Sequence, residues 1–100
     1  MKDIKGYEGL YAVTSCGRVW SYKSNKFLKP HDNGRGYHQV DLRKDGKRKH
    51  FYIHRLVAEA YIPNPNGYDT VDHIDGDKSH NYLNNLQWLS RKDNIKKAQC

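Results

Sequence analysis

Apolar and polar residues alternate most regularly from Tyr37 to Leu42 and again from Lys49 to Ile53, the period of strands with one buried face. Between the two runs lies Lys44-Asp45-Gly46-Lys47, and an Asp-Gly pair favours the tight turn of a β-hairpin. A shorter hairpin is predicted upstream. Leu10-Tyr11-Ala12-Val13 and Arg18-Val19-Trp20-Ser21 are β-prone runs joined through Ser15-Cys16-Gly17, where the glycine can supply a positive φ. The period then changes: Ile53, Leu56, Val57, Ala60 and Tyr61 recur at helical spacing, so a short helix is expected over 54–62, ended by Pro63. Pro63-Asn64-Pro65-Asn66-Gly67 is a loop by composition. The last third reads as a strand over 70–74, a polar loop over 75–85, a strand over 86–89 and a helix opened by Ser90. There the Ser90 hydroxyl stands three residues before Asp93 in a capping-box-like pattern.

These elements define an α+β chain of 100 residues with N-terminal β-hairpins and a strand-loop-strand-helix unit after them. We divide it into a β-rich region, 1–50, and a second unit, 51–100, within one compact domain, because a chain this short supports one small core. Charge then narrows the partner. Lys and Arg number 18 against 11 Asp and Glu, a formal net charge of +7, which favours a polyanion, with nucleic acid ahead of a membrane surface. Arg43, Lys44, Lys47, Arg48 and Lys49 crowd the tip of the second hairpin, where they repel one another unless solvated or set against phosphates. No apolar run is long enough to span a bilayer, and the charged start, Met1 to Lys5, leads into no signal segment. A cytoplasmic protein is expected. Cys16 and Cys100 lack paired spacing and are read as free thiols.

Candidate chemistry gathers in the last third. A strand-loop-strand-helix unit brings the end of its first strand beside the start of its helix, so Asp72 and Asn94 can offer a carboxylate and an amide carbonyl to one hard divalent cation, Mg2+ or Mn2+. His73 adjoins the carboxylate, and an imidazole with an ordinary pKa of about 6.5 can take a proton from water at cellular pH. Strand alternation points Asp72 and His73 to opposite faces. A phosphate reaching both is therefore expected over the strand end, where the chain turns into Asp75-Gly76.

The run Val71-Asp72-His73-Ile74-Asp75-Gly76-Asp77-Lys78, followed by Asn81, Asn84-Asn85-Leu86, Trp88 and Asp93-Asn94, resembles the HNH motif of phage and homing endonucleases, in the version whose last position is Asn. His54-Arg55-Leu56-Val57-Ala58 with Tyr61 resembles the helix that precedes that motif. The segment from Ile4 to Val13, with Gly17-Arg18-Val19 and Ser21, is similar to a modular N-terminal segment often attached to such nucleases. The resemblance implies a ββα-metal nuclease unit acting on double-stranded DNA, with His73 as general base, Asp72 and Asn94 as metal ligands, and a 5′ phosphate and 3′ hydroxyl as products. Asn85 corresponds to the middle asparagine of the motif, implied to bond across the loop and hold the His73 strand. Asp75, Asp77 and Asn81 are expected to shape the loop through hydrogen bonds to its backbone. A helical DNA-binding module often follows the motif in this family, whereas six residues follow Asn94 here, so sequence-specific affinity is not expected from these residues alone.

Other residues are read more plainly. His50 and His54 would bind zinc together if both lay on one helix, but His50 falls in a predicted strand, so the pair is taken as incidental and His54 as a packing or phosphate-contacting residue. Arg55 joins the hairpin cations as a candidate DNA contact. Trp88 is assigned to the core, and Lys96 and Lys97 to the C-terminal end of the last helix, where they suit its dipole. The rival functions are a non-catalytic DNA-binding module that keeps the fold and a ribonuclease using the same metal unit.

Overall fold

In a computed structural model of the chain, residues 1–93 are described. Asn94, Lys96, Lys97 and Cys100, all assigned above, lie outside the described residues. Asp45 and Gly46 both have positive φ, 54° and 76°, the conformation of a two-residue turn whose twist suits a hairpin. This turn joins the two long strands. Upstream, β1 (Lys2–Asp3), β2 (Tyr11–Val13), β3 (Val19–Ser21) and β4 (Lys26–Phe27) form an antiparallel meander. β5 (His31–Asp32), β6 (His38–Lys44) and β7 (Lys47–Tyr52) form a second sheet in the order β5-β6-β7. Helix α1 (Ile53–Tyr61) follows directly, and β8 (Thr70–His73) pairs antiparallel with β9 (Leu86–Leu89).

Both hairpins, α1 and the β8–β9 pair follow the hydrophobic pattern, each within a residue or two at its ends. Three strands escape it. β1, β4 and β5 span two residues each, too short to display an alternation. The strand expected over 70–74 stops at His73, leaving Ile74 half exposed. Ser90 does accept a hydrogen bond from the Asp93 backbone N–H, at 3.2 Å, and residues 91–93 are helical.

Val40 and Leu42 of β6, Val13 and Val19 of the meander, and Ile53, Leu56, Val57 and Ala58 of α1 bury their side chains in one cluster with Val71 and Leu86. The helix therefore packs its apolar stripe against residues from all three sheets. Trp88, assigned to the core, is half buried and packs at the edge of this aliphatic cluster, with the indole N–H donating to Ile62 O at 3.0 Å. An indole needs a hydrogen-bond acceptor, and the edge supplies one.

The meander is tied to the segment between β8 and β9. Gly17, in the β2–β3 turn, has φ +84°, and a Cβ placed on it would lie 2.8 Å from Asn81 Cβ and 2.9 Å from Asn81 O. Leu83 N–H donates to Ser15 O at 2.7 Å, and Tyr61 O–H donates to Val13 O at 2.9 Å. A glycine is thus needed at position 17 for two reasons, its backbone conformation and the close approach of Asn81.

Candidate active site

β8 carries Asp72 and His73 side by side, both buried, with 8% and 5% of their surface exposed. Their side chains have different partners, as strand alternation requires. Gln87, directly opposite Asp72 on β9, donates its amide N–H to Asp72 Oδ2 at 2.9 Å. The carboxylate is thereby held by a neutral group. His73 Nε2 lies 2.8 Å from Asn81 Oδ1. An Nε2–H donating to that carbonyl makes Nδ1 the nitrogen that carries the lone pair of the neutral ring.

Asn81, expected to shape the loop, instead orients the imidazole. The work of shaping falls to Asp75, Asp77 and Asn85. Asp75 Oδ1 accepts from Asp77 N–H at 2.8 Å and from Asn85 Nδ2 at 3.0 Å, and Asp75 Oδ2 accepts from His80 Nδ1–H at 2.7 Å. Asp77 Oδ1 accepts from Ser79 N–H and Oγ–H. Bonds from His80, then the Asp77 backbone and Asn85, hold the Asp75 carboxyl well below the ordinary carboxylate range. Asn85 is buried in the turn Leu83–Asn85, where its amide also donates to His80 O at 2.9 Å and its carbonyl accepts from Asp75 N–H at 3.2 Å. Its backbone carbonyl accepts from Ile74 N–H at 2.8 Å. Asn85 therefore spans the loop from end to end, directly after the His73 strand.

A group of rings encloses His73. The His54 ring lies 4.9 Å from it and the Tyr37 ring 6.1 Å, centroid to centroid, and Tyr52 sits 5.4 Å from His54 and 5.6 Å from Tyr37. His54 is 7% exposed, and its Nδ1 has no hydrogen-bond partner among the described residues. Burial first, then the neighbouring His73 and Arg55, push the His54 imidazole down to about 3. It is a neutral ring at cellular pH. Lys78 Nζ stands 4.8 Å from the Tyr37 ring centroid and donates to Arg35 O at 3.2 Å, fastening the β5–β6 loop over the site. Sequence spacing links none of Tyr37, Tyr52 and His54 to His73. The one hint was His54 at the start of the predicted helix, read as a packing or phosphate-contacting residue.

The cations expected to meet DNA divide into two groups. Arg43, Lys44, Lys47, Arg48 and Lys49 are exposed around the β6–β7 turn. Lys44 Nζ also donates to Gly6 O at 2.7 Å, and Arg48 Nε lies 3.9 Å from Asp41 Oδ2. Arg55 is not brought to this tip. Its guanidinium donates to Asp69 O at 2.6 Å, lies 3.5 Å from Glu59 and stacks near Trp88. It ties α1 to the chain entering β8.

Among the described residues, Asp72 and a second set of side chains have the donors for a cation. Asp72 offers carboxylate oxygen oriented by Gln87, the donor chemistry of a hard divalent ion with a positioning partner behind the ligand. His31, Asp41 and His50 offer two imidazoles and a carboxylate whose ligand atoms all lie within 4.8 Å of one another.

The strand-rich α+β fold, with a buried aspartate-histidine pair at the end of the first strand of a strand-loop-strand unit, has the arrangement expected of a ββα nuclease unit. Residues 51–96 match the HNH endonuclease family and residues 2–43 match the NUMOD4 motif, and the chain is homologous to HNH endonucleases. The NUMOD4 match extends to residue 43, past Ser21, the last residue in the N-terminal segment that carries the resemblance. The chain is 47% identical over 97 residues to DNA endonuclease I-HmuI of Bacillus phage SP01, covering 94% of this chain and 54% of that protein. It is 34% identical to H-N-H endonuclease F-TflII of Escherichia phage T5 over 83% of this chain and 44% of that protein. A solved structure described as DNA binding and cleavage by the HNH homing endonuclease I-HmuI superposes with a TM-score of 0.90 at 45% identity, over 98% of this chain and 56% of that one. The chain thus spans about half the length of these relatives.

Proposed function

We propose that this chain is a metal-dependent DNA endonuclease that hydrolyses phosphodiester bonds in double-stranded DNA, by nicking or by cutting both strands. The observation that carries the reading is the buried His73 imidazole, held by Asn81 and packed against His54, one residue from the buried carboxylate of Asp72. An ordinary surface Asp-His pair has no need of such support. The match to the HNH endonuclease family and the similarity to I-HmuI support the same reading.

In this mechanism His73, oriented by the Asn81 carbonyl, takes a proton from water as the water oxygen bonds to phosphorus. The bond from phosphorus to the 3′ oxygen breaks, leaving a 5′ phosphate and, after protonation, a 3′ hydroxyl. Neutral His54 packs beside His73 without adding a competing charge. Asp72 and Asn94 would hold the divalent ion, Mg2+ or Mn2+, which when bound supplies charge stabilisation at the phosphate and leaving oxygens. Asn85 acts by holding the loop rather than by touching substrate. Residues 1–50 supply the DNA-contacting surface, with the cations of the β6–β7 turn set against phosphates, and residues 51–100 supply the nuclease unit. The setting is the cytoplasm, that of the host cell if the chain is phage-encoded.

The test is digestion of supercoiled plasmid by the purified chain with Mg2+ or Mn2+, with EDTA, and by Asp72→Ala and His73→Ala variants. Open-circle or linear product is expected only with metal. Loss of His73 should slow cutting by about 100-fold or more, the range of general-base contributions, and leave DNA retardation intact. Cutting by His73→Ala at the wild-type rate would end the base assignment. Retardation without product under either metal would favour a DNA-binding module, and faster loss of RNA than of duplex DNA would favour a ribonuclease.

A further inference from the structure

β5, β6 and β7 carry a second constellation outside the nuclease centre. Asp41 on β6 pairs directly with His50 on β7, and His31 on β5 pairs with Gln39, two residues before Asp41. Side chains two apart on a strand share a face, so His31, Asp41 and His50 stand together on the sheet face away from buried Val40 and Leu42. His50 Nδ1 contacts Asp41 Oδ1, and His31 Nε2 lies 3.8 Å from the same oxygen. The two imidazole rings are nearly perpendicular, 89° apart, with centroids separated by 6.1 Å.

We propose that these three residues form a transition-metal site that takes Zn2+ or a similar borderline ion, with water completing its coordination. Two imidazoles and a carboxylate match the donor preference of Zn2+, and ligands at bond lengths of about 2.0–2.2 Å around a tetrahedral ion stand about 3.3 Å from one another. The ligand atoms of His31, Asp41 and His50 lie within 4.8 Å of one another, so His31 must close on its partners by at most about 1.5 Å on that geometry. Both histidines are at the surface, with side chains 46% and 58% exposed, so rotation of exposed rings suffices and the ion has direct access. Arg48 approaches the other oxygen, Asp41 Oδ2, at 3.9 Å and leaves the Oδ1 side to the imidazoles.

The ion would cross-link three strands where the sheet is weakest. β5 is two residues long and is held to β6 by two residue pairs. Each ligand comes from a different strand, so the bound ion joins the β5 edge to both partners at once. Its donor set is also distinct in character from Asp72, whose oxygen donor suits a hard ion. The site therefore stands whether or not the chain cuts DNA.

The experiment is calorimetric titration of the full chain with Zn2+, with Co2+ as an optical probe of coordination and with thermal unfolding read in parallel. Zn2+ is expected to bind and raise the unfolding midpoint, Co2+ to give visible absorption that Zn2+ displaces, and both to persist in Asp72→Ala and in His80→Gln. His31→Gln and His50→Gln should each weaken Zn2+ by more than about tenfold and abolish the thermal shift, while circular dichroism shows the fold retained. Zn2+ affinity unchanged in either variant, equal loss in His80→Gln, or no binding at micromolar Zn2+ would overturn the proposal.

Discussion

Acidification from about pH 7.5 to about 4.5 is expected to remove about 2–3 kcal/mol of stability through His54 alone. The ring is buried, its Nδ1 lacks a partner among the described residues, and its pKa is pushed from 6.5 to about 3. The groups facing it are Arg55 on its own helix, His73 on β8, and the rings of Tyr37 and Tyr52. None offers it a negative charge, and the positive end of the α1 dipole also disfavours a cation in the first turn. The sign follows from proton counts. Between about 6.5 and about 3 the unfolded chain binds a proton at His54 that the folded chain refuses, so stability falls as pH falls, by up to about 1.4 kcal/mol per pH unit, and levels off below about 3. Asp75 and Asp77, whose folded pKa values are depressed, remove stability in the same direction, but only as pH approaches the ordinary carboxylate range near about 4. The assay is urea unfolding at several pH values for the wild type and His54→Phe, a ring that packs without titrating. Flattening of the slope between about pH 6.5 and 4.5 in the variant, by roughly the amount above, is the expected outcome. Parallel curves for the two proteins would refute the reasoning.

Removing Asn85 as Asn85→Ala deletes three side-chain hydrogen bonds and should destabilise the chain by about 2–4 kcal/mol; a change below about 0.5 kcal/mol in urea unfolding would contradict its loop-holding role. Gly17→Ala adds a Cβ against Asn81 at a φ of +84° and should lower stability by about 1–3 kcal/mol. It should also reduce DNA cleavage below 25 °C, where the variant remains folded, because Asn81 holds His73; full activity in folded protein would separate the turn from the site. The double variant Lys47→Gln with Lys49→Gln should reduce the slope of log affinity against log salt by about 1.8 if each cation meets one phosphate. An unchanged slope on duplex DNA would remove the β6–β7 turn from the interface.

What the sequence made legible is what local chemistry determines. The Asp45-Gly46 turn, the change of period at Ile53 and the β8 and β9 strands each rest on neighbours within a few positions, and the Asp72-His73 pair with Asn85 lies inside one continuous segment. Asn81 was visible as a polar loop residue, but its acceptor role depends on the loop returning to His73, which spacing cannot report. The Tyr37, Tyr52 and His54 rings were less accessible still. They meet His73 from a loop, a strand end and a helix start, and no periodicity marks residues that converge from three elements. Arg55 shares its charge with the hairpin cations, but its bonds to Asp69 O and Glu59 tie α1 to the chain entering β8, a role that charge alone could not report. Trp88 illustrates the same limit for burial, since its side chain could be core or edge until Ile62 O was seen to accept its N–H.

His54 also bears on why the site is built as it is. Its Nδ1 is buried without a hydrogen-bond partner among the described residues, which is unfavourable by about 1–3 kcal/mol from the behaviour of buried polar groups, and an apolar ring of similar size would avoid that cost. The same position gives His73 a flat, uncharged neighbour on one side, while Asn81 holds its Nε2 on another. Asn81 is in turn fixed by the Gly17 turn, and Leu83 beyond it by Ser15 O. The orientation of the imidazole therefore depends on contacts reaching from the first hairpin to the loop before β9. An imidazole whose ring is held by contacts reaching from the N-terminal sheet will lose its geometry when that sheet loosens, even if Asp72 and the β8–β9 pair remain intact.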